Sequence, residues 1–348
     1  MAYTTINKSG DYFNTELYTG NGSTHAITGV GFQPDWVWIK SRSQTLSHAL
    51  FDSVRGTTKV LNSNANTAEY TNTDTLTAFG TDGFTLGSNT GVNESGETRV
   101  AWNWKAGTTG SGTSTGSGTG KAYSYSVNTT SGFSIIKYVG NGTSGHTIPH
   151  HLGVTPEWIL VKQLGGTFDW RVYFRAEGNN KIVRLNTTGT ASTGTEFWND
   201  TSPTSTVFTL GDNTGVNGND GGYIAYCFAP KTGYCKMGQY HGNGNTDGTF
   251  VYTGFKPSVV IIKDVDNAEN WFIFDNKRPG YNLNANHLNP NSNTSETASS
   301  ANTMDILSNG FKMRATNNGI NRNGGEGFNY LAIGQSLVGS NNVPATAR

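Results

Sequence analysis

The chain has 348 residues, of which 46 are Gly, 48 Thr and 39 Asn, and its 24 Lys and Arg residues balance its 24 Asp and Glu residues. Because there is no basic excess to neutralise phosphates, we expect no nucleic-acid partner. Abundant turn formers exclude a coiled coil or a helical bundle, and 40 aromatic residues (8 Trp, 15 Tyr and 17 Phe) exclude general disorder. The composition predicts an all-β protein with Gly and Asn turns.

The first residues, Met1–Lys8, have neither the basic nor the apolar stretch of a Sec signal. No apolar run approaches the roughly 20 residues that span a membrane. Cys227 and Cys235 are too few for the disulfide framework of a secreted domain. We therefore predict synthesis in a reducing cytoplasm and no membrane insertion.

A set of landmarks recurs three times in the same order. Each set begins with a Tyr-x-Gly-Asn-Gly loop, continues with a short apolar run that ends in Lys, and closes with a Gly-Val/Ile-Asn turn and an aromatic strand. The loops are Tyr18–Gly22, Tyr138–Gly142 and Tyr240–Gly244; the apolar runs are Asp35–Lys40, Glu157–Lys162 and Ser258–Lys263; the turns are Gly91–Asn93, Gly215–Asn217 and Gly319–Asn321; the closing strands are Arg99–Trp104, Tyr223–Phe228 and Phe328–Ile333. Their near-constant spacing identifies three internal repeats of roughly 100 residues.

Each repeat is long enough for a sandwich of seven or eight strands. The apolar run of each repeat is apolar on both faces, so we expect it to be a central strand between two sheets. No segment shows the apolar stripe of an amphipathic helix. The predicted class is all-β, with three tandem β-sandwich repeats of jelly-roll or lectin-like type whose equivalent strands superpose at Trp36, Trp158 and Val259.

Composition also predicts the domain boundaries. Residues 107–120 are all Gly, Ser or Thr, which predicts a flexible linker that spans roughly 20 Å. The second and third repeats are joined only by Pro230–Gly233, so we expect them to form a rigid pair. The predicted domains are residues 1–106, residues 121–230, and residues 231–348 with a short C-terminal tail.

The densest acidic cluster is formed by Asp264, Asp266 and Glu269. Oxygen ligands at this spacing suit Ca²⁺, so the cluster is the candidate metal site. It also resembles the carboxylate strand of sandwich-fold glucanases, but it begins with Asp and lies in a loop. We expect no catalytic residues and no cofactor, with Ca²⁺ at this cluster as the alternative.

His146, His150 and His151 are close enough in sequence to hold a transition metal. Only the second repeat has them, and no acidic residue is adjacent, so metal binding is the alternative to a structural role. Cys235 takes a position that is Phe in the two earlier repeats. This favours a buried thiol, with a disulfide to Cys227 as the alternative.

The repeated aromatic residues have two interpretations. We expect the Trp residues of the apolar runs, such as Trp36, and also Trp271, in the core. A Tyr ring beside Asn side chains instead suits stacking on a sugar and hydrogen bonding to it. The candidate glycan-binding residues are therefore Tyr18, Asn21, Tyr138, Asn141, Tyr240 and Asn243.

Further motifs accompany these landmarks. They are Thr57–Leu61, Gly83–Asn89, Trp198–Gly211, Tyr252–Pro257, Leu307–Lys312 and Pro344–Arg348. Together with the landmarks they resemble, over essentially the whole chain, a repeat found in virion proteins of tailed phages of marine bacteria. The resemblance implies a tail-fibre-like or structural virion protein with a lectin-like sandwich in each repeat, and it supplies no catalytic residues.

The resemblance implies a virion protein made in the host cytoplasm, with other virion proteins and host-surface glycan as partners. Linked modules raise avidity by ~10²–10⁴, which favours a fibre or adhesin that contacts glycan. A capsid or tail decoration protein without a ligand is the alternative, followed by a polysaccharide-degrading enzyme. Exposed sheet edges and zero net charge favour a closed homo-oligomer, and we expect a trimer.

Overall fold

A computed structural model describes residues 4–324 and 327–336. Within them the chain is built from strands, with four short α-helices and one 3₁₀ helix, so the predicted all-β class is confirmed. The helices are a 3₁₀ helix at Ser9–Asp11, α1 (Thr90–Asn93), α2 (Thr195–Trp198), α3 (Thr214–Asn217) and α4 (Asn318–Asn321). In this part of the chain, each helix is too short to cross a membrane. The predicted C-terminal tail, with Pro344–Arg348, lies outside the described residues.

The first repeat is a sandwich of two antiparallel sheets. Its strands are β1 (Phe13–Thr19), β2 (His25–Ile27), β3 (Trp36–Ser41), β4 (Ala49–Asp52), β5 (Gly56–Leu61), β6 (Tyr70–Thr71), β7 (Leu76–Gly80), β8 (Gly83–Leu86) and β9 (Thr98–Trp104). The large sheet has the order β1-β9-β3-β4-β5-β6 and the small sheet the order β2-β8-β7. Ile27 and Phe84 of the small sheet pack with Val37 and Ile39 of the large sheet, which fills the sandwich.

The second repeat has the same two layers with a longer large sheet. Its strands are β10 (Thr108–Thr113), β11 (Thr115–Gly116), β12 (Ala122–Asn128), β13 (Phe133–Val139), β14 (His146–Pro149), β15 (Trp158–Gln163), β16 (Arg171–Phe174), β17 (Lys181–Arg184), β18 (Ser192–Thr193), β19 (Val207–Leu210) and β20 (Gly222–Phe228). The sheets have the orders β10-β12-β13-β20-β15-β16-β17-β18 and β11-β14-β19. Ile159 and Phe208 belong to the core between them.

The third repeat completes the series. Its strands are β21 (Cys235–His241), β22 (Phe250–Tyr252), β23 (Phe255–Asp264), β24 (Trp271–Asp275), β25 (Asn286–His287), β26 (Thr297–Ala298), β27 (Met304–Leu307), β28 (Gly310–Met313) and β29 (Gly327–Ser336). The large sheet is β21-β29-β23-β24, the small sheet is β22-β28-β27, and β25 pairs with β26. Val260 and Phe311 lie in the core of this sandwich.

The large sheets share one strand order. The run β1-β9-β3-β4 of the first repeat is matched by β13-β20-β15-β16 and by β21-β29-β23-β24. The register matches as well: Trp36 pairs with Trp104, Trp158 with Phe228, and Val259 with Ile333. The three residues aligned by sequence therefore occupy one position of a common topology.

The outer faces of the three large sheets meet in a single central core. On β3, Trp36 and Trp38 belong to this core, whereas Val37 and Ile39 belong to the sandwich of the first repeat. The strands β15 and β23 alternate in the same way. Both faces of each central strand are thus buried, which explains why these runs are apolar throughout. The first repeat packs directly on the other two, unlike the predicted tethered domain beside a rigid pair.

Hydrogen bonds to backbone carbonyls close the three repeats into a ring. A loop of each repeat donates a backbone N–H to its neighbour: Glu69 to Leu164 O (2.9 Å), Ala191 to Val265 O (2.8 Å) and Glu296 to Arg42 O (2.8 Å). A ring nitrogen bonds in the reverse direction: Trp170 Nε1 to Asn62 O (2.9 Å), Trp271 Nε1 to Arg184 O (2.9 Å) and His48 Nε2 to Asn289 O (3.0 Å). In each set, the third bond links the third repeat with the first. The three repeats of one chain therefore form a closed ring with an internal pseudo-three-fold arrangement.

The Lys that ends each apolar run is buried in this ring. Lys162 Nζ donates to the carbonyl of Asn66 in the first repeat (3.3 Å), and Lys263 Nζ donates to that of Thr188 in the second (3.0 Å). Burial lowers the pKa of Lys162 and Lys263 to about 8 and that of Lys40 to about 7. Lys162 and Lys263 therefore link neighbouring repeats, whereas Lys40 Nζ donates to the carbonyls of Ser41 and Gln44 in its own repeat.

Residues 107–120 are not a flexible linker, contrary to the prediction. The strand β10 pairs with β12 along its whole length, and β11 pairs with β14. Gly110 and Gly112 lie opposite Tyr125 and Tyr123, and a Cβ added at Gly110 would come within 2.5 Å of the Tyr125 hydroxyl. Composition is misleading here because these glycines make room for tyrosine side chains on a paired strand.

Candidate functional site

The repeated tyrosines predicted to bind glycan are structural. Their hydroxyls donate to backbone carbonyls: Tyr18 to Val92 O (2.7 Å), Tyr138 to Val216 O (2.7 Å) and Tyr240 to Ile320 O (2.6 Å). Tyr138 and Tyr240 are buried, and Tyr18 is half-buried. The rings of Tyr138 and Tyr240 therefore have no open face for a sugar. A Tyr before an Asn-Gly loop is equally compatible with a buried ring whose hydroxyl needs an acceptor.

The asparagines of the same loops hold the loops in shape. The backbone N–H groups of Asn21, Asn141 and Asn243 donate to the side-chain oxygens of Asn93 (3.0 Å), Asn217 (2.9 Å) and Asn321 (3.0 Å), which end the Gly-Val/Ile-Asn turns. These three acceptor residues are buried. The Tyr-x-Gly-Asn-Gly loop and the Gly-Val/Ile-Asn turn of each repeat thus contact each other. Both landmarks recur because the fold of each repeat requires this contact.

The candidate calcium ligands are occupied by protein donors, and Arg322 is near two of them, 3.7 Å from Asp264 Oδ2 and 2.7 Å from Glu269 Oε1. Asp264 is buried, and its Oδ1 accepts from the N–H groups of Asp266 (3.0 Å) and Asn267 (2.9 Å). Asp266 accepts from a backbone N–H of β29 (2.7 Å), and Glu269 accepts from Arg322 Nη2 (2.7 Å). Among residues 4–324 and 327–336, no three His, Cys, Asp or Glu side chains converge as a metal site requires. The predicted Ca²⁺ alternative is not formed because each carboxylate is occupied elsewhere.

The three neighbouring histidines also point to different partners. His146 is buried between the Ser114 hydroxyl (2.6 Å) and a buried Asn side chain. The imidazole of His150 hydrogen-bonds a backbone carbonyl (3.1 Å), and His151 stacks on Tyr125. These separate contacts give the three imidazoles structural roles rather than a shared metal.

Both cysteines are free and buried. Burial raises the pKa of the Cys227 and Cys235 thiols above the ordinary value. The predicted buried thiol at Cys235 is therefore confirmed, and the alternative disulfide is not formed.

A cleft with a volume of about 500 Å³ lies where the first repeat meets the second. Its walls are formed by the segment before β3, the turn after β4, the segment after β9 and the paired strands β10 and β12. Its side chains include Gln33, Asp35, Ser53, Lys105, Ser124 and Tyr125. We call it the polar cleft. Sequence reasoning missed it because its residues come from separate segments and from a stretch interpreted as a linker.

Asp35 is the carboxylate of the polar cleft, and it is buried. Its Oδ1 accepts from the hydroxyls of Ser53 (2.7 Å) and Ser126 (3.3 Å), and its Oδ2 accepts from the Ala106 N–H (2.8 Å). Burial raises the pKa of Asp35, although these hydrogen bonds and the charge of Lys105 oppose the shift. Because Ser126 belongs to the second repeat, the carboxylate also fastens the two repeats together.

The residue at the position of Asp35 differs among the repeats. The second repeat has Glu157 there and the third has Ser258. Glu157 pairs with Arg175 of its own repeat at 2.9 Å. Within the described residues, Asp35 forms no ion pair, so the first repeat alone presents a buried, unneutralised carboxyl at this place.

The sequence of the chain was compared with known proteins. A family model described as a domain of unknown function, DUF7483, matches residues 8–336. The chain belongs to the DUF7483 family. The match extends across all three repeats, so the family's sequence pattern corresponds to the whole ring. No curated protein and no solved structure matched the chain.

In this DUF7483 protein, Tyr125 borders the polar cleft and belongs to a cluster of three rings on the other face of β12 from Ser124 and Ser126. Its ring centroid lies 3.7 Å from that of His151 and 6.2 Å from that of Tyr123. All three side chains are half-buried. The polar groups of the cleft and this ring cluster lie on the two faces of one sheet edge, and together they supply the polar and apolar surfaces that a sugar requires. The sequence pattern that could have indicated this cluster is the alternation of Gly110 and Gly112 in one segment and of Tyr123 and Tyr125 in the next.

Proposed function

We propose that this DUF7483 protein is a virion surface protein of a tailed phage that binds host-surface glycan, as part of a fibre or adhesin. The observation that carries the glycan assignment is the polar cleft with its aromatic side. The virion assignment is supported by the resemblance of the repeat motifs to phage virion proteins.

The lining of the cleft matches the chemistry of a saccharide. The Gln33 amide, the Lys105 ammonium and the Ser124 hydroxyl can donate hydrogen bonds in the cleft, and the Tyr125 ring offers an apolar surface on the other face of the same sheet edge. Its volume of about 500 Å³ lies within the range of roughly 300–1,000 Å³ that small-molecule sites occupy. A hydroxyl-rich ligand with apolar ring faces uses both kinds of group.

The same cleft favours binding over hydrolysis. Glycoside hydrolysis uses two carboxylates on opposite sides of the scissile bond. The lining of the polar cleft contributes one, Asp35, and its two oxygens already accept three hydrogen bonds. We expect no release of reducing sugar by the wild type or by Asp266→Ala/Glu269→Ala. Release that Asp35→Asn abolishes would instead identify an enzyme.

Decoration of a capsid or tail without a glycan ligand is the second candidate. The internal pseudo-three-fold ring favours it, since a three-fold body matches a three-fold position in a symmetric shell. The predicted homotrimer stays a prediction. Because the large-sheet faces are covered within one chain, a trimer would form through exposed edge strands such as β10. The mass of the purified chain in solution tests this.

The glycan proposal is tested by binding of the full chain to an array of bacterial surface polysaccharides. The variants are Gln33→Ala/Lys105→Ala and Tyr125→Ala, and we expect at least about tenfold weaker binding from each. The control is Lys137→Ala, which removes an exposed lysine on β13 outside the cleft. Equal binding by wild type and cleft variants would exclude the polar cleft. Absence of glycan binding by a chain that is found in purified virions would favour decoration.

A further inference from the structure

A second cleft lies at the join between the second and third repeats. It has a volume of about 270 Å³ and is formed by Pro230–Gly233, the start of β21 and the end of β22. Lys231, Lys236 and Tyr252 contribute its long side chains, and no Asp or Glu of the described residues lines it. We call it the lysine cleft. Its chemistry differs from that of the polar cleft, where an acid and a lysine lie together.

An open aromatic face adjoins the lysine cleft. Tyr252 is 52% exposed and Phe250 is 43% exposed, and both lie on the outer side of β22 because Val251 between them is buried. The residue opposite Tyr252 on β28 is Gly310, which has no side chain to cover the rings. The matching positions are Ala26 and Thr28 in the first repeat and Thr147 and Pro149 in the second. The aromatic pair is therefore particular to the third repeat.

The two lysines are held in place without an acidic partner. Lys236 Nζ donates to the Tyr252 carbonyl (2.6 Å) and lies 5.5 Å from the centre of the Tyr252 ring. The stem of Lys231 packs on Gly132, where an added Cβ would lie 3.1 Å from its carbons. Neither lysine forms an ion pair within the part of the chain that the structure describes. By contrast, Lys312 on β28, the strand that pairs with β22, forms an ion pair with Asp247 at 2.6 Å.

We propose that the lysine cleft and the Phe250–Tyr252 face bind an acidic saccharide, one that carries carboxylate or sulfate groups. Two ammonium groups without a carboxylate nearby attract an anion. The exposed rings supply the apolar surface on which a sugar ring stacks, which a simple inorganic anion would not use. The proposal shares with the proposed function the premise that the ligand is a saccharide, but it concerns a different site and a charged ligand.

The test measures binding of the full chain to an alginate-derived oligouronate, with a neutral glucose oligosaccharide, dextran sulfate and single-stranded oligo(dT) as comparison probes. Lys231→Ala/Lys236→Ala and Tyr252→Ala should each weaken oligouronate binding by at least about tenfold. Tyr252→Phe keeps the ring and should retain binding within about twofold, as should Lys137→Ala, whose exposed lysine on β13 lies outside both the cleft and the aromatic face. Added salt should weaken binding of the oligouronate.

Three results would overturn the proposal. The first is failure of the wild type to bind the oligouronate. The second is equal binding of dextran sulfate and oligo(dT) together with no effect of Tyr252→Ala, which would indicate unspecific attraction of polyanions. The third is unchanged binding by the double lysine variant. Gln33→Ala/Lys105→Ala separates the two sites, because it should affect glycan binding at the polar cleft and leave oligouronate binding intact.

Discussion

The two joins between consecutive repeats are built differently on the same core. The first join runs through β10 and β11, adds an edge to the second repeat and creates a polar cleft with a buried carboxyl and stacked rings. The second join is only Pro230–Gly233, and it leaves two lysines beside an open aromatic face. The repeats therefore differ where their side chains lie outside the shared core.

The side chains of the two joins can differ because the joins lie outside the shared core. Each central strand is enclosed between its own sandwich and the central core, so both of its faces are constrained. The ring contacts end on backbone carbonyls, which every residue offers. This is why Asn62, Arg184 and Asn289 serve equally well as acceptors. The joins lie outside these contacts, and their side chains set the surface chemistry.

The largest effect is expected from removing a ring that lies beneath the first join. The centroid of the Trp36 ring is 4.3 Å from that of Trp104 and 4.4 Å from that of Tyr226 in the second repeat. Trp36→Ala should lower the free energy of unfolding by about 3–5 kcal/mol, measured by denaturant titration. The exposed Tyr70→Ala should change it by less than about 0.5 kcal/mol. Equal effects of the two variants would contradict a common core.

The next effect concerns a buried charge that links the first two repeats. Asp52 pairs with Arg55 and accepts from the Tyr226 hydroxyl at 2.7 Å. Asp52→Ala leaves the buried guanidinium without this partner and should cost about 3 kcal/mol of unfolding free energy. Asp52→Leu/Arg55→Leu removes both charges and should cost less. A double variant that is less stable than Asp52→Ala would show that the charges themselves stabilise the join.

Acid should destabilise the second repeat through His150, which directly follows β14. The Leu152 N–H donates to His150 Nδ1 (3.2 Å), so this nitrogen must stay unprotonated. Burial lowers the pKa of His150 to about 4. The unfolded chain therefore takes up this proton first, and stability should fall by about 2–3 kcal/mol as the pH drops from about 6.5 to about 4.

His150→Gln should remove that part of the pH dependence, measured by urea unfolding at several pH values. The exposed His241→Gln is the control and should keep the wild-type slope. The same slope in wild type and in His150→Gln would mean that other groups carry the acid sensitivity.

The smallest effect on stability is expected at the glycines of the first join. Gly110→Val would displace Tyr125 and should cost about 1–2 kcal/mol. Ser111→Val, on the other face of β10, places the same side chain in solvent and serves as the control. Binding at the polar cleft should weaken in Gly110→Val while oligouronate binding at the lysine cleft stays unchanged. A loss at both clefts would show that the joins are not independent.

The repeats and the all-β class could be predicted because they depend on local patterns. A strand such as β3, apolar at successive positions, requires burial on both faces wherever it lies. The recurring Lys, Tyr and Asn landmarks were also visible, since each makes the same contact in every repeat. The sequence by itself thus determined the recurring strands and which of them are equivalent, but not the strands β10 and β11.

The tertiary structure alone decided what covers the second face of each strand and which aromatic rings stay open. An alternating strand does not tell whether its outer face meets water, a small sheet or a neighbouring repeat, and here the answer is a core shared by three repeats. Tyr138, which the sequence predicted as a ligand platform, is buried, whereas Tyr125, which the sequence did not single out, is half-buried. A Gly-rich segment reads as flexible from composition, but Gly110 is present because a tyrosine hydroxyl occupies the space of its missing side chain. These outcomes depend on contacts between residues far apart in sequence, which local patterns do not contain.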